Sequence, residues 1–189
     1  MKLSDIEFRA IDSWGRRWGQ EHFEMPLLGR LGLNLKDKDV LEIGCGNGYG
    51  AHLIHQRSPS SYVGLDVMEE QIEKARQRYP QYQFLVQDAT NLSQFTDASK
   101  DIVIIFGVLH HIPEWRKVID EIKRVLKPNG QFFLEEPRGT DLKLFDFFFR
   151  WGHPDFGLKV MEEYLKTRGF KFHKQWTPLM TIYRIQKSI

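Results

Sequence analysis

Three acids, a glycine run and a histidine pair mark where this chain could do chemistry. In VLEIGCGNGYG, Val40 to Gly50, glycine stands at 44, 46, 48 and 50, directly after an apolar run that carries Glu42. Glycines spaced this way let backbone approach a ligand closely. Asp66 follows Gly46 by 20 residues, and Asp88 with Ala89 closes the stretch FLVQDA. A carboxylate at Asp66 suits the two hydroxyls of a ribose. One at Asp88 suits an adenine amino group, with the Ala89 N–H available to a ring nitrogen. His110 and His111 supply side chains able to exchange a proton near neutral pH.

Two ligand classes compete for the loop. Gly46-x-Gly48-x-x-Ala51 with Asp66 fits a relaxed dinucleotide fingerprint, so an NAD-binding oxidoreductase is one reading. Against it, no Lys or Arg occurs between Lys38 and Arg57, so a diphosphate would meet little beyond backbone N–H groups and a helix start. Glu42 would repel a diphosphate and attract a cation. A sulfonium ligand such as S-adenosylmethionine therefore suits three acids at the ends of three successive strands. The lone Cys45 has no activating base beside it and reads as a small hydrophobe.

These residues need elements to position them. Ser4-Asp5-Ile6-Glu7 is a capping box that predicts a helix toward Trp14, and a second apolar-periodic segment runs from His22 to Leu31. Strands are expected at Val40–Ile43, Tyr62–Leu65, Tyr82–Val86 and Asp101–Phe106, with helices at Tyr49–Gln56 and Glu69–Arg78 between them. Asp101–Phe106 is apolar without alternation, as in a strand buried on both faces. Pro113 suits the first turn of the next helix. Lys127–Gly130 reads as a turn before the strand QFFLEE, and Val160–Arg168 as a helix stopped by Gly169. Phe170–Trp176 and Met180–Gln186 alternate and should pair as an antiparallel hairpin. Repeated strand and helix units imply a doubly wound, mostly parallel α/β sheet whose ligand lies where strand order reverses.

The motifs VLEIGCGNGYG, VGLDVMEEQIEKAR, FLVQDATNL, DIVIIFGVLHHIPEW and RVLKPNGQFFLEEP, in this order, resemble those of class I S-adenosylmethionine-dependent methyltransferases of the type 11 group. The resemblance covers about Asp39 to Pro137. It implies a Rossmann-like seven-stranded sheet with an antiparallel C-terminal strand, and S-adenosyl-L-methionine as cofactor. It implies Gly44, Gly46 and Gly48 around the methionine part, where the charge argument also puts Glu42 as a cofactor residue, Asp66 on the ribose, and Asp88 with Ala89 on the adenine. Val67 and Met68 would pack on the adenine face and Phe106 against the methionine. His111 is the candidate base, with His110, Glu136 and Arg138 toward the acceptor. No metal site is expected. A non-catalytic S-adenosylmethionine-binding protein of the same fold is the remaining alternative.

The 189 residues suit one domain, with residues 1–35 as a helical cap and 137–159 as an insertion over the acceptor. Within that insertion DLKLFDFFFRW, Asp141 to Trp151, suits a hydrophobic acceptor or contact with a membrane surface. GVLHHIP stands where nucleic-acid amino-methyltransferases carry an Asn/Asp-Pro-Pro-aromatic motif, so a small-molecule acceptor is expected and a nucleic acid is not. Composition fits a globular chain: 41% hydrophobic, 28% charged, net charge +2. One cysteine excludes an internal disulfide, and the acidic N-terminal stretch does not read as a secretory signal, so a cytoplasmic location is expected. The acceptor atom and the oligomeric state stay open.

Overall fold

The computed structural model describes residues 14–138 and 156–187. The helix expected from Ser4, the Phe-rich stretch at 141–151 and most of the 137–159 insertion lie outside them.

Seven strands form one sheet in the order β3-β2-β1-β4-β5-β7-β6. These are β1 Asp39–Ile43, β2 Ser61–Asp66, β3 Gln83–Val86, β4 Lys100–Phe106, β5 Leu126–Pro137, β6 Phe170–Trp176 and β7 Met180–Lys187. β1 to β5 pair in parallel, while β7 runs antiparallel between β5 and β6. The order reverses between β1 and β4, which opens a crevice beyond their carboxyl ends.

Strand alternation divides the apolar residues between two cores. On one face Leu41, Ile43, Val103 and Ile105 pack under α5 (Trp115–Val125) and α6 (Leu158–Thr167). On the other, Val40, Ile102, Ile104 and Phe106 pack under α3 (Tyr49–His55), α4 (Glu69–Arg78) and an N-terminal helical run. That run begins earlier than the expected His22. α1 (Trp14–Gly19) passes through a π-helical turn, Gln20–Glu24, into α2 (Met25–Arg30). Met25 and Leu28 anchor it in the second core.

Two local expectations are revised. Glu114, not helical in φ and ψ, caps α5, so Pro113 sits one residue before the cap rather than in the first turn. Lys127–Gly130 does bend, but inside one strand. Lys100 pairs with Leu126 and Ile102 with Gln131, so the intervening residues loop out, with Asn129 at φ 64°. Gly169, at φ 75°, follows α6 as expected. Among the described residues no helix is long and apolar enough to cross a membrane.

Candidate active site

The loop after β1 is closed by its own amides. Gly44 and Cys45 both donate to the Leu65 carbonyl, at 2.8 and 3.0 Å, and Gly48 donates to the Cys45 carbonyl at 3.0 Å. The Gly46 N–H donates to Asp66 Oδ2 at 3.0 Å. Four N–H groups that could have received a diphosphate are thus taken up internally. The glycines serve conformation and packing instead. Gly44, Gly46 and Gly48 have φ of 73°, 50° and 85°. A Cβ on Gly44 would lie 2.6 Å from Val108, and one on Gly48 would lie 2.9 Å from Phe84.

Asp66, at the end of β2, is held from two sides. Oδ2 takes the Gly46 N–H and Oδ1 takes the Met68 N–H at 2.9 Å. Burial pushes its pKa above the ordinary carboxylate value, and the N–H groups of Met68, Gly46 and Val67 only partly offset this. Asp88 is exposed, and Oδ1 accepts from both the N–H and the hydroxyl of Thr90, each at 2.8 Å. That Asx turn fixes the carboxylate beside the buried Ala89.

Between these acids lies a cavity of about 300 Å³, within the roughly 300–1,000 Å³ of small-molecule sites. Ile43, Gly44 and Leu65 form its floor, Val67 and Ile112 add apolar wall, and Asp66, Asp88 and Glu114 supply carboxylates. A carboxylate beside an apolar slot that is also lined by a second carboxylate has the polarity to take an adenosine group.

The sequence candidates divide by position. Gly44, Asp66, Val67, Asp88 and Ala89 line the cavity; Met68 caps α4 beside it. Gly46 acts behind Asp66, and Gly48 against α4. Glu42 points elsewhere: strand alternation puts it on the Val40 face, 2% exposed, where Tyr62 donates to its Oε2 at 2.5 Å. Its Oε1 would lie 2.1 Å from a Cβ on Gly50, so the acid is packed beneath α3 rather than in the cavity. Phe106 is 6% exposed in the core of that same face. Cys45 is buried, and its thiol is pushed well above its ordinary pKa by burial and then by Glu42 and Asp66.

Past β4, the 3₁₀ turn Leu109–His111 carries both histidines. His110 Nδ1 is 2.6 Å from Glu136 Oε2, and Glu136 Oε1 accepts the Leu109 N–H at 3.0 Å. His111 is half-buried, its ring centroid 4.0 Å from that of His110. Arg138 is drawn to the β6–β7 hairpin, donating to the Thr177 carbonyl and lying 5.1 Å from the Trp176 ring centroid. Ile112, Pro113 and Glu114 also line the cavity, although in the sequence Pro113 marks only a helix start. Their place within three residues of the histidine pair is the signal the sequence offers. Among the described residues no acid, histidine and cysteine cluster could hold a metal.

A family model described as a methyltransferase domain matches residues 41–134. A Mycolicibacterium smegmatis protein named "Probable S-adenosylmethionine-dependent methyltransferase" is 34% identical over 148 residues, covering 75% of this chain and 55% of that protein. A phthiotriol/phenolphthiotriol dimycocerosates methyltransferase of Mycobacterium tuberculosis is 41% identical over 103 residues, covering 53% of this chain and 38% of its own. A solved S-adenosylmethionine dependent methyltransferase from Mesorhizobium loti has the same fold, with a TM-score of 0.75 at 15% identity over 87% of this chain and 97% of that one. The chain spans about half the length, or less, of these curated relatives.

Proposed function

We propose that this chain, which matches a methyltransferase-domain model over residues 41–134 and a probable S-adenosylmethionine-dependent methyltransferase at 34% identity, is itself such a methyltransferase and transfers a methyl group to a small, partly hydrophobic acceptor. The observation that carries the reading is the clasped carboxylate of Asp66 at a cavity that ends at Asp88 and Ala89. S-adenosylmethionine supplies an activated methyl on a sulfonium. The protein's part is position. Asp66 accepts from the ribose hydroxyls, Asp88 from the adenine amino group, and Val67, Met68 and Ile112 pack on the ring. Gly44, with Gly46 and Gly48 behind it, keeps the loop low enough for the methionine end.

Alignment of nucleophile, methyl and sulfur contributes on the order of 7–11 kcal/mol, so little covalent help is needed. In this reading His110, His111 and Glu136 stand on the acceptor side. A lipid-like acceptor is in keeping with the dimycocerosate-modifying relative, and peripheral contact with a membrane surface would follow. The reading places the protein in the cytoplasm, and it sets aside nucleic acid as substrate.

Binding and turnover test it separately. S-adenosylhomocysteine should raise the melting temperature through ligand linkage, and label from methyl-labelled S-adenosylmethionine should pass to an apolar small molecule. Stabilisation without transfer to any acceptor in a lipid extract would leave a binding protein; no stabilisation at all would remove the reading.

A further inference from the structure

The buried pair at the end of β5 has an asymmetry that structure alone does not require. Glu136 is completely buried and His110 is 1% exposed. Both oxygens of Glu136 accept: Oε1 from the Leu109 N–H and Oε2 opposite His110 Nδ1. An ionised carboxylate accepts only, so the proton between them sits on Nδ1. In a neutral imidazole this leaves Nε2 as a bare acceptor, and among the described residues Nε2 is buried with no hydrogen-bond partner. An unpartnered buried polar atom is destabilising, and at the edge of a ligand cavity an arriving group would relieve it.

The surroundings favour an acceptor arriving there. His110 follows β4 at the carboxyl edge of the sheet, two residues before Ile112 on the cavity wall. Its ring meets the imidazole of His111 at 4.0 Å and the ring of Phe156 at 6.3 Å between centroids.

We propose that His110 Nε2 is the general base of this site, that Glu136 is its positioning residue, and that the acceptor is a hydroxyl on an otherwise apolar molecule. The inference rests on the methyl-transfer reading and deepens it. A hydroxyl is the acceptor that most needs a base. As the acceptor oxygen bonds to the methyl carbon, the methyl–sulfur bond breaks with its electron pair left on sulfur. The hydroxyl proton passes to Nε2, and the imidazolium is held by the Glu136 carboxylate until solvent takes the proton. The roles differ from the expectation that His111 acts directly: Glu136 fixes the tautomer of His110.

Nitrogen-labelled imidazole NMR of the whole chain tests the tautomer without any acceptor, His110→Asn giving the assignment. At about pH 8 the expected spectrum has Nδ1 protonated and Nε2 bare, and Glu136→Gln should lose that preference. An Nε2-protonated tautomer in the wild type overturns the proposal. With labelled cofactor and micellar dodecanol or an alkyl-substituted benzenethiol as probes, His110→Asn and Glu136→Gln should lower transfer to the alcohol about 10²-fold or more and transfer to the thiol by less than about threefold at pH 9, where an aromatic thiol is ionised without help. Equal loss on both probes, or wild-type transfer to the thiol alone, also overturns it. Circular dichroism checks that each variant is folded. Absence of stabilisation by S-adenosylhomocysteine would count against methyl transfer itself, while the imidazole spectrum would still decide the dyad.

Discussion

The two ends of the sheet treat their carboxylates in opposite ways. At the amino end, Asp39 begins β1, Asp101 lies at the start of β4, and Lys127 reaches both from the bulge in β5, at 2.7 and 2.8 Å. Ser61 adds a hydrogen bond to Asp39 at 2.7 Å. The Lys127 bond, then Ser61, lowers the Asp39 pKa, and Asp101 with Asp39 raises that of Lys127. At the carboxyl end Asp66 has backbone N–H partners and no lysine or arginine among the described residues, and burial raises its pKa. The same residue type on one sheet is thus completed internally at one end and left open at the other. An acid already matched by a cation builds the fold; one held only by amides is ready for a ligand's hydroxyls.

Replacing the open acid should have the largest effect on function. Asp66→Asn should weaken cofactor binding by about 10²-fold or more, since hydrogen bonds to a charged group contribute roughly 1.5–3 kcal/mol each. Its stability should fall by only about 1–3 kcal/mol, because no buried ion pair is broken but the Gly46 or Met68 N–H then faces the new amide nitrogen. Calorimetric titration alongside thermal melting separates the two.

Gly44→Ala attacks the loop between the ends. It places a Cβ 2.6 Å from Val108 at a backbone φ of 73°, so it should destabilise by about 1–3 kcal/mol, read as a shift in the urea midpoint.

Lys127→Met should have the smallest effect, about 1 kcal/mol or less near neutral pH, because the pair is about one-third exposed and screened. The pH dependence sharpens the contrast. Asp39 is lowered on folding, so its contribution is present above the ordinary aspartate value of 3.8 and is lost as pH falls through its folded value. The Lys127→Met variant should show a shallower acid limb in stability. Asp66 is raised, so its ionised form is disfavoured in the folded chain and its protonation on acidification does not remove stability. Cofactor affinity, which uses the ionised carboxylate, should instead fall as pH drops through that raised value, earlier than for an ordinary carboxylate. Urea melts and titrations across the acid range check both signs.

What the sequence made legible follows the same division. Strand positions could be read because β4 is apolar on both faces and the glycines and prolines punctuate the chain. Asp66 and Asp88 could be read because the first ends β2 and the second follows the end of β3 by two residues. Glu42 shows the limit. Its position near the glycines argued for a place in the crevice, but side-chain direction depends on strand parity. Position 42 shares its face with Val40, under α3 and against Tyr62. The loop glycines likewise hid their separate duties, since only the fold reveals that Gly48 meets Phe84 and Ala75 while Gly44 borders the cavity. Arg138 looked like a crevice residue by its distance along β5, and its stacking on Trp176 depends on a hairpin 38 positions later. The Glu136–His110 bond joins residues 26 apart, a pairing that follows from β4 and β5 being neighbours.

The central claim is that the open carboxylate of Asp66 receives the adenosine of S-adenosylmethionine. Titration of S-adenosylhomocysteine and, separately, NAD into the wild type and Asp66→Ala tests it most directly. Saturable binding of S-adenosylhomocysteine to the wild type, lost in Asp66→Ala, with no binding of NAD, is the predicted result. Undiminished affinity in Asp66→Ala, or binding of NAD in place of S-adenosylhomocysteine, would contradict it.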